Sequence, residues 1–316
     1  LNSVSLSANW MWPCKNPGED SRLYKAVEAC SDFACSLGIN IPTGKDSLSM
    51  TQKYDGEKVF SPGTVIISAG AEVSNVQKTI EPVLINDLKT AIYYIDFSFD
   101  TLKLGGSVLG QTLNRLGEEV PTVQDAEYFK AAFDSIQELI GKGLILAGHD
   151  ISEGGLFTAL LEMCFANTSG GLNVKLDDIA ENSLVKIMFA ENPGVLIQVK
   201  EKKIVENILE ANGVGFARIG TPIKERQLEI HKKSISYSFS INELRDVWFK
   251  SSYLLDRRQS GEICAKARFN NYKTQVLEFN FNKSSKGKFS QFNLTQERKP
   301  SGVRAAIIRD KGTNGD

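Results

Sequence analysis

The stretch LILAGHDISEGGLFTALLEMC, residues 144–164, decides the fold, because it contains a strand, a turn and a helix in direct succession. Its first four residues are apolar and predict a short buried strand, and residues 156–164 have the apolar character of a helix. An acidic, glycine-bearing loop lies between them. Free backbone N–H groups at a helix N-terminus favour anions, so this layout predicts an anion site beside Asp150 and Ser152.

Each of these two side chains has a chemical role in such a site. Asp150 supplies a hard carboxylate that can hold Mg²⁺ beside a phosphate. Ser152 can either cap the helix or contact a phosphate oxygen. The simpler alternative is an ordinary helix cap in an αβ unit, and the shape of the loop alone does not separate these interpretations.

A second stretch, IPTGKDSLSM at residues 41–50, combines the residue types that a phosphate site needs. Gly44 allows close backbone approach and Lys45 supplies positive charge. Asp46 supplies a carboxylate that can bind a metal ion, and Ser47 and Ser49 supply two hydroxyls. The stretch is not a P-loop, because the Gly-x4-Gly-Lys-Ser/Thr spacing is absent. We predict a loop after a short strand, and a plain surface turn is the alternative.

Strands that alternate with helices along most of the chain predict a layered α/β or α+β fold. Apolar spacings of three and four residues predict helices over 18–38, 126–141, 204–209 and 241–249. Apolar runs between turn residues predict strands over 39–42, 63–71, 91–96, 195–199 and 215–220. The strand at 63–71 is expected to be buried, and the polar stretch 72–89 is expected to connect two domains.

The composition excludes several classes of protein. The formal net charge is −1, which argues against a nucleic-acid surface supported by bulk charge. No apolar run is long enough for a membrane span and the first residues lack a signal peptide, so we expect a cytoplasmic protein with no membrane partner. The five cysteines lack a metal-ligand spacing, and the two histidines exclude a multi-histidine metal site.

Both ends of the sequence have the character of a chain cut from something longer. The first residues are predicted as a strand and lack an initiating methionine, and a clean strand at 303–308 is followed only by a short polar end. We therefore expect an internal fragment, truncated at both ends.

Four motifs occur in order along the chain: LSANWM at 6–11, NPGED at 16–20, PTGKDSLSM at 42–50 and HDxSEGG at 149–155. Together they resemble the large, single-chain phosphoribosylformylglycinamidine synthases of purine biosynthesis, whose synthetase part belongs to the aminoimidazole ribonucleotide synthetase superfamily. That family converts formylglycinamide ribonucleotide, ATP and glutamine into formylglycinamidine ribonucleotide, ADP, phosphate and glutamate. The resemblance implies an ATP-dependent carbon–nitrogen ligase that uses Mg²⁺ and ATP or ADP.

The resemblance also implies a domain organisation, in which this chain is the second half of a synthetase pseudo-dimer. Residues 1–75 would be the C-terminal part of the second N-type subdomain, and 90–225 the second C-type subdomain. Residues 226–300 would be a linker, and 301–316 the first strand of a glutaminase domain. In the full enzyme the chain would pack on the first synthetase repeat and the glutaminase domain and receive glutamine-derived ammonia. Alone it would be inactive.

The family's motifs imply roles for particular positions. Asp150 would be a Mg²⁺ ligand and Ser152 a nucleotide contact in an auxiliary ADP site, while Asp46 would face Mg²⁺ in the productive site. The positions implied to contact ATP or substrate phosphate there are Gly44, Lys45, Ser47 and Ser49. No residue is assigned as catalytic, and His149 is expected to have a structural role.

Two other interpretations remain open. One is a different ATP-dependent enzyme of the same superfamily, such as a selenophosphate synthetase or a thiamine monophosphate kinase. The motif at 6–11 and the glutaminase-like strand at 303–308 argue against it. The other is a non-catalytic nucleotide-binding or interaction module, for which substitution of Asp46 in the full-length enzyme would leave activity unchanged.

Overall fold

The structure, a computed structural model, describes residues 3–73, 75–271 and 284. It has two compact units, one that runs to Gln77 and one from Lys78 to Ser284, and each is described by itself. Within the described residues, no helix combines the length and the apolar character needed to cross a membrane.

The first unit is a three-stranded sheet with one long helix. Its elements are β1 (Ser5–Met11), α1 (Glu19–Leu37), β2 (Asn40–Ser47), β3 (Thr51–Tyr54), β4 (Glu57–Phe60) and β5 (Thr64–Gly70), with a 3₁₀ turn at Val76–Lys78. Strand β1 lies in the middle, parallel to β2 and antiparallel to β5. Helix α1 is the crossover that a parallel pair requires. Strands β3 and β4 form a hairpin.

Helix α1 forms where the apolar spacing predicts it. Ala34 and Leu37 are buried on its inner face, and Gly38 follows its last residue. Gly38 has a φ of 70°, and its N–H bonds the carbonyl oxygens of Ala34 and Cys35. Glycine enters this left-handed conformation without a steric penalty, which explains why the helix ends there.

The stretch that carries Gly44 and Lys45 is part of β2, so the expectation of a loop at this point was wrong. Residues 43–47 pair in register with Ser7–Met11 of β1, and Gly44 lies opposite Ala8. A Cβ atom at Gly44 would lie 2.1 Å from the Ala8 carbonyl oxygen. The glycine is therefore needed for strand packing, a reason that the sequence motif alone does not reveal.

Strand β5 confirms the predicted strand but not its predicted burial. Val65, Ile66 and Ile67 are 39%, 52% and 40% exposed. Strand β5 is an edge strand of the three-stranded sheet. An apolar run is typical of strands buried on both faces, but periodicity does not say what covers them.

The second unit contains the rest of the regular structure. Its strands are β6 (Ala91–Asp96), β7 (Ile145–Asp150), β8 (Gly171–Lys175), β9 (Gly194–Val199), β10 (Phe216–Ile223), β11 (Gln227–Lys232) and β12 (Ile235–Ser240). Its helices are α2 (Val108–Thr112), α3 (Ala126–Gly141), α4 (Gly155–Phe165), α5 (Leu184–Phe189), α6 (Lys202–Ala211), α7 (Ile241–Ser260) and α8 (Glu262–Asn271). The strands form one sheet in the order β12-β11-β8-β10-β6-β9-β7.

Helices cover both faces of this sheet. Ile92 and Tyr93 are neighbours in β6 and both are fully buried, although a strand directs them to opposite faces. Ile92 belongs to a core with Leu160 of α4, and Tyr93 belongs to a second core with Leu139 of α3. Two cores on opposite faces of one sheet make a layered arrangement of helices and strands, which confirms the expected fold class.

The predicted linker from residue 226 does not begin there. Strand β11 lies parallel to β8 with Leu228 opposite Leu172, and Leu228 and Ile230 are almost fully buried. Helix α7 confirms the helix predicted at 241–249 and extends it, and Trp248 packs on Phe165 of α4 at 5.7 Å between ring centroids. The stretch is rich in lysine and serine, but QLEIHK and ISYSFS alternate apolar with polar residues, a pattern typical of half-buried strands. The rest of the predicted linker after Asn271, apart from Ser284, and the predicted strand at 301–316 lie outside the described residues.

Candidate functional site

The acidic loop lies at one edge of the seven-stranded sheet. Strands β6 and β7 are each antiparallel to β9, so they run in the same direction and their carboxyl ends meet at the same edge. Asp96 ends β6 and Asp150 ends β7. The carboxylates of Asp96 and Asp150 therefore belong to the same end of the sheet.

Asp150 and Ser152 are both available to a ligand at this edge. The side chain of Asp150 is 73% exposed and lies 3.4 Å from the Nδ1 atom of His149. Ser152 is exposed, and its backbone carbonyl accepts the N–H of Gly155 at 2.9 Å. The cap of α4 is Gly154, with a φ of 85° and no side-chain hydrogen bond. Ser152 therefore does not cap α4.

The N-terminus of α4 differs from the sequence expectation of free amide groups. The N–H of Gly154 donates to the Oε1 atom of Glu191 at 2.9 Å. The protein's own carboxylate thus takes a position where the helix dipole favours negative charge.

His149 is held by protein groups on both ring nitrogens. Its Nδ1 atom lies 2.7 Å from the backbone oxygen of Asp150, and its Nε2 atom lies 3.2 Å from the Oε2 atom of Glu162. Glu162 in turn accepts the indole N–H of Trp248 at 3.0 Å. With a side chain only 15% exposed, His149 links β7, α4 and α7, as the expected structural role requires.

This edge of the sheet supplies only part of the ligand set that Mg²⁺ requires. Mg²⁺ is usually held by one or two carboxylates together with substrate phosphates and water. The described part of the chain contains no cluster of three or more His, Cys, Asp or Glu side chains able to hold a metal ion. Asp150 could supply one oxygen ligand, and the other ligands of such an ion would have to come from a nucleotide, from water or from outside these residues.

The phosphate motif of the first unit is divided between two faces of β2. The Lys45 Nζ atom donates to the Ser47 Oγ atom at 2.5 Å, so these two residues share a face. Strand alternation directs Asp46 to the opposite face. A groove of about 370 Å³ nevertheless has both Lys45 and Asp46 among its lining residues, together with Trp10 and Val27.

Two further residues of this motif have defined positions. Gly44 packs on the backbone of β1, and Ser49 lies beyond β2, where it is exposed and forms a bridge with Pro13. The structure therefore pairs Lys45 with Ser47, but it does not bring all five predicted residues of the motif to one face.

Sequence reasoning missed a cavity of about 540 Å³ in the second unit. Its walls come from separate segments of the chain and include Tyr94, Asp96, Asp100, Glu181 and Phe216. Burial is the main cause that raises the pKa of Tyr94, and the nearby Asp96 raises it further. Since the lining residues lie in three distant parts of the sequence, 94–102, 179–181 and 215–217, no local motif indicates this cavity.

The fold and the sequence define a class of protein. Residues 1–72 match the family described as the FGAR-AT PurM_N-like domain, and residues 99–233 match the AIR synthase related protein, C-terminal domain. The two matched domain types follow one another along the chain, in the order that the resemblance predicts.

Curated relatives make the assignment more particular. The whole chain is 35% identical, over 331 aligned residues, to the probable phosphoribosylformylglycinamidine synthase, chloroplastic/mitochondrial, of Arabidopsis thaliana. It is 33% identical over 346 aligned residues to the probable phosphoribosylformylglycinamidine synthase of Caenorhabditis elegans. The chain covers 22% and 25% of these proteins, so it spans about a quarter of their length or less. The resemblance to phosphoribosylformylglycinamidine synthases is confirmed.

Solved structures agree in fold. The PurL of T. maritima complexed with ATP has a TM-score of 0.56 at 13% identity, over 77% of this chain and 38% of that one. The same protein complexed with FGAR gives a TM-score of 0.57 at 13% identity, over 77% of this chain and 39% of that one. The hydrogenase maturation protein HypE gives 0.51 at 16% identity, over 75% of each chain. At these identities the likeness shows the fold alone.

Proposed function

We propose that this chain acts as a segment of a purine-biosynthetic ligase that converts formylglycinamide ribonucleotide, ATP and glutamine into formylglycinamidine ribonucleotide, ADP, phosphate and glutamate. The observation that carries the proposal is the similarity of the whole chain to two phosphoribosylformylglycinamidine synthases. In the full enzyme the segment packs on a first synthetase repeat and a glutaminase domain, and it is inactive alone. We propose a cytoplasmic location, although the plant relative is named as chloroplastic/mitochondrial.

The chemistry of this reaction is a phosphoryl transfer followed by a substitution. The oxygen of the glycinamide carbonyl of the substrate attacks the γ-phosphorus of ATP, and ADP leaves. Ammonia then attacks the carbon of that amide, and the bond from this carbon to the phosphorylated oxygen breaks to release phosphate and leave the amidine. Catalysis of such steps depends mainly on positioning and on stabilising the transferred charge.

In the first unit we propose that Lys45 and Ser47 contact phosphate together. Their mutual hydrogen bond at 2.5 Å supports a shared ligand, because a cation and a hydroxyl on one strand face can meet neighbouring phosphate oxygens. Gly44 lets β2 approach β1 closely, and Ser49 lies exposed at the end of the same segment. Asp46, on the other face, is proposed as a carboxylate ligand of Mg²⁺.

In the second unit we propose an auxiliary nucleotide site at the acidic loop. Asp150 would be one Mg²⁺ ligand, and the Ser152 hydroxyl would contact a phosphate oxygen of ADP. The exposure of both side chains and the absence of a serine cap on α4 support this assignment. Mg²⁺, when bound, would offset the negative charge of the phosphates.

The test of the ligase function uses the full-length protein that carries this chain. We expect the wild type to form formylglycinamidine ribonucleotide in a reaction that depends on ATP and glutamine. Lys45→Met should lower this activity by about 100-fold or more, because the positive charge that stabilises the transferred phosphate is lost. Lys53→Met, an exposed lysine on β3, is the matched control and should keep full activity. If Lys45→Met and Asp46→Asn are both fully active, the chain is a non-catalytic module instead.

The auxiliary site is tested separately with this chain. A thermal-shift titration with Mg²⁺ and ADP should raise the unfolding temperature, because a ligand that binds only the folded state stabilises it. Asp150→Ala should abolish that shift. A shift of equal size in both proteins would place the nucleotide elsewhere.

A further inference from the structure

Glu191 joins two loops that are far apart in sequence. Its Oε1 atom accepts the N–H of Gly154, in the acidic loop, at 2.9 Å. The same oxygen accepts the N–H of Val108, the first residue of α2, at 2.8 Å. The acidic loop (151–154) is thereby tied to the glycine turn (105–108), which contains Gly105 and Gly106.

The next residue, Asn192, fixes the segment that precedes the glycine turn. Asn192 is buried, and its Nδ2 atom donates to the Ser98 Oγ atom and to the Thr101 carbonyl, each at 3.1 Å. Its Oδ1 atom accepts the N–H of Lys103 at 3.3 Å. Glu191 and Asn192 together hold the chain that follows β6.

The residues just before Glu191 support the start of α4. A Cβ atom at Gly155 would lie 2.7 Å from the carbonyl oxygen of Met188 and 2.8 Å from that of Ala190. Gly155 also has a φ of 67°, which favours glycine. The backbone of α4 therefore sits directly on the segment that carries Glu191, and this contact brings the carboxylate within reach of Gly154.

We propose that Glu191 is a positioning residue of the auxiliary nucleotide site, which holds the acidic loop and the glycine turn in one fixed arrangement. The inference rests on the proposed function, since it concerns the same site. Rigid support of binding groups lowers the cost of ordering them when the ligand arrives. Because Glu191 already accepts the Gly154 N–H, this amide does not face a ligand, and the contacts proposed for Asp150 and Ser152 are made by their side chains.

Two substitutions of Glu191 distinguish the effect of its hydrogen bonds from the effect of its negative charge. Glu191→Gln keeps a side-chain oxygen that can accept both amides, whereas Glu191→Ala removes it. Glu210→Ala, on the exposed side of α6, is the matched control for loss of a carboxylate.

The first measurement is hydrogen exchange of the two loops in this chain without nucleotide. Exchange at 105–108 and at 151–154 should rise about 10-fold or more in Glu191→Ala, and Glu191→Gln should restore most of the protection.

The second measurement is the affinity of the full-length protein for Mg²⁺ and ADP by calorimetry. Glu191→Ala should weaken binding about 10-fold, whereas Glu191→Gln and Glu210→Ala should stay within about threefold of wild type. Unchanged exchange in Glu191→Ala, or unchanged affinity despite faster exchange, overturns the proposal. Absence of binding in the wild type contradicts the nucleotide site itself, and the exchange data still decide whether Glu191 holds the two loops.

Discussion

Replacing Arg226 should destabilise the second unit, because this side chain closes the end of α4. Its Nη1 atom donates to the carbonyl oxygens of Cys164 at 3.0 Å and Gly170 at 3.1 Å. Its Nη2 atom donates to the carbonyl of Asn167 at 2.6 Å, and Nε donates to the Oδ1 atom of Asn242 in α7 at 3.1 Å. Burial lowers the pKa of Arg226, but arginine stays protonated at neutral pH.

The size of the effect follows from these contacts. A hydrogen bond to a charged group contributes about 1.5–3 kcal/mol, and a buried acceptor left without a donor costs about 1–3 kcal/mol. Arg226 is half-buried, so water can replace part of what is lost, and the Cys164 carbonyl keeps the Asn167 N–H at 3.2 Å. We therefore expect Arg226→Ala to lower the free energy of unfolding by about 3 kcal/mol. Arg226→Lys keeps the positive charge but not the planar guanidinium group, and should lower the free energy of unfolding by about half as much.

The assay is urea unfolding of the whole chain, read by pulsed hydrogen exchange on peptides from α4 and from residues 166–172. Reading these peptides isolates the second unit from the first. Arg258→Ala, an exposed arginine on α7, controls for loss of a surface charge and should change stability by less than about 0.5 kcal/mol. If Arg226→Ala unfolds at the same urea concentration as Arg258→Ala, residue 226 behaves as part of an independent linker and the packing argument fails.

Three further predictions concern single side chains. Gly155→Ala should cost about 3 kcal/mol in a urea titration, because its Cβ would meet two carbonyl oxygens and its φ is positive. Burial raises the pKa of the Cys164 thiol to about 12, so iodoacetamide at pH 8 should modify Cys35 and leave Cys164 unmodified until urea unfolds the chain. Burial acts to raise the pKa of Asp100, but hydrogen bonds from Lys103 and the Thr122 amide outweigh it and lower the pKa. The stability that Asp100 contributes should thus be present above its unfolded pKa and be lost as the pH falls through its folded pKa. Asp100→Asn should show a shallower loss of stability with acid than wild type.

Most of the second unit could be predicted from the sequence because its elements are long and periodic. Helix α3 and strands β6 and β9 are where apolar spacing placed them. The hairpin of β11 and β12 was missed because its lysines and serines indicated a linker, although both strands alternate apolar with polar residues as half-buried strands do. Its place in the sheet depends on Leu228 meeting Leu172, a contact between distant segments.

Residues of the candidate site could likewise be predicted only where a local sequence motif marks them. Motif order identified the residues of the acidic loop, and the loop lies at the sheet edge where strand ends meet. Strand alternation in β2 was missed, because a Gly-Lys-Asp-Ser run has low strand propensity and its pairing with β1 compensates. No local pattern marks Glu191 or Arg226, whose backbone partners are more than thirty residues away.

The helix N-terminus shows why a motif and its geometry lead to different chemistry. From sequence, two glycines before an apolar helix predict free amides for an anion. In the structure Gly154 donates to Glu191, so a bound phosphate would have to displace a carboxylate that also holds Val108. Such displacement would release both loops at once. In the proposed auxiliary site the exposed side chains of Asp150 and Ser152 would therefore recognise the nucleotide, while Gly155 lets α4 pack on the backbone of Met188 and Ala190.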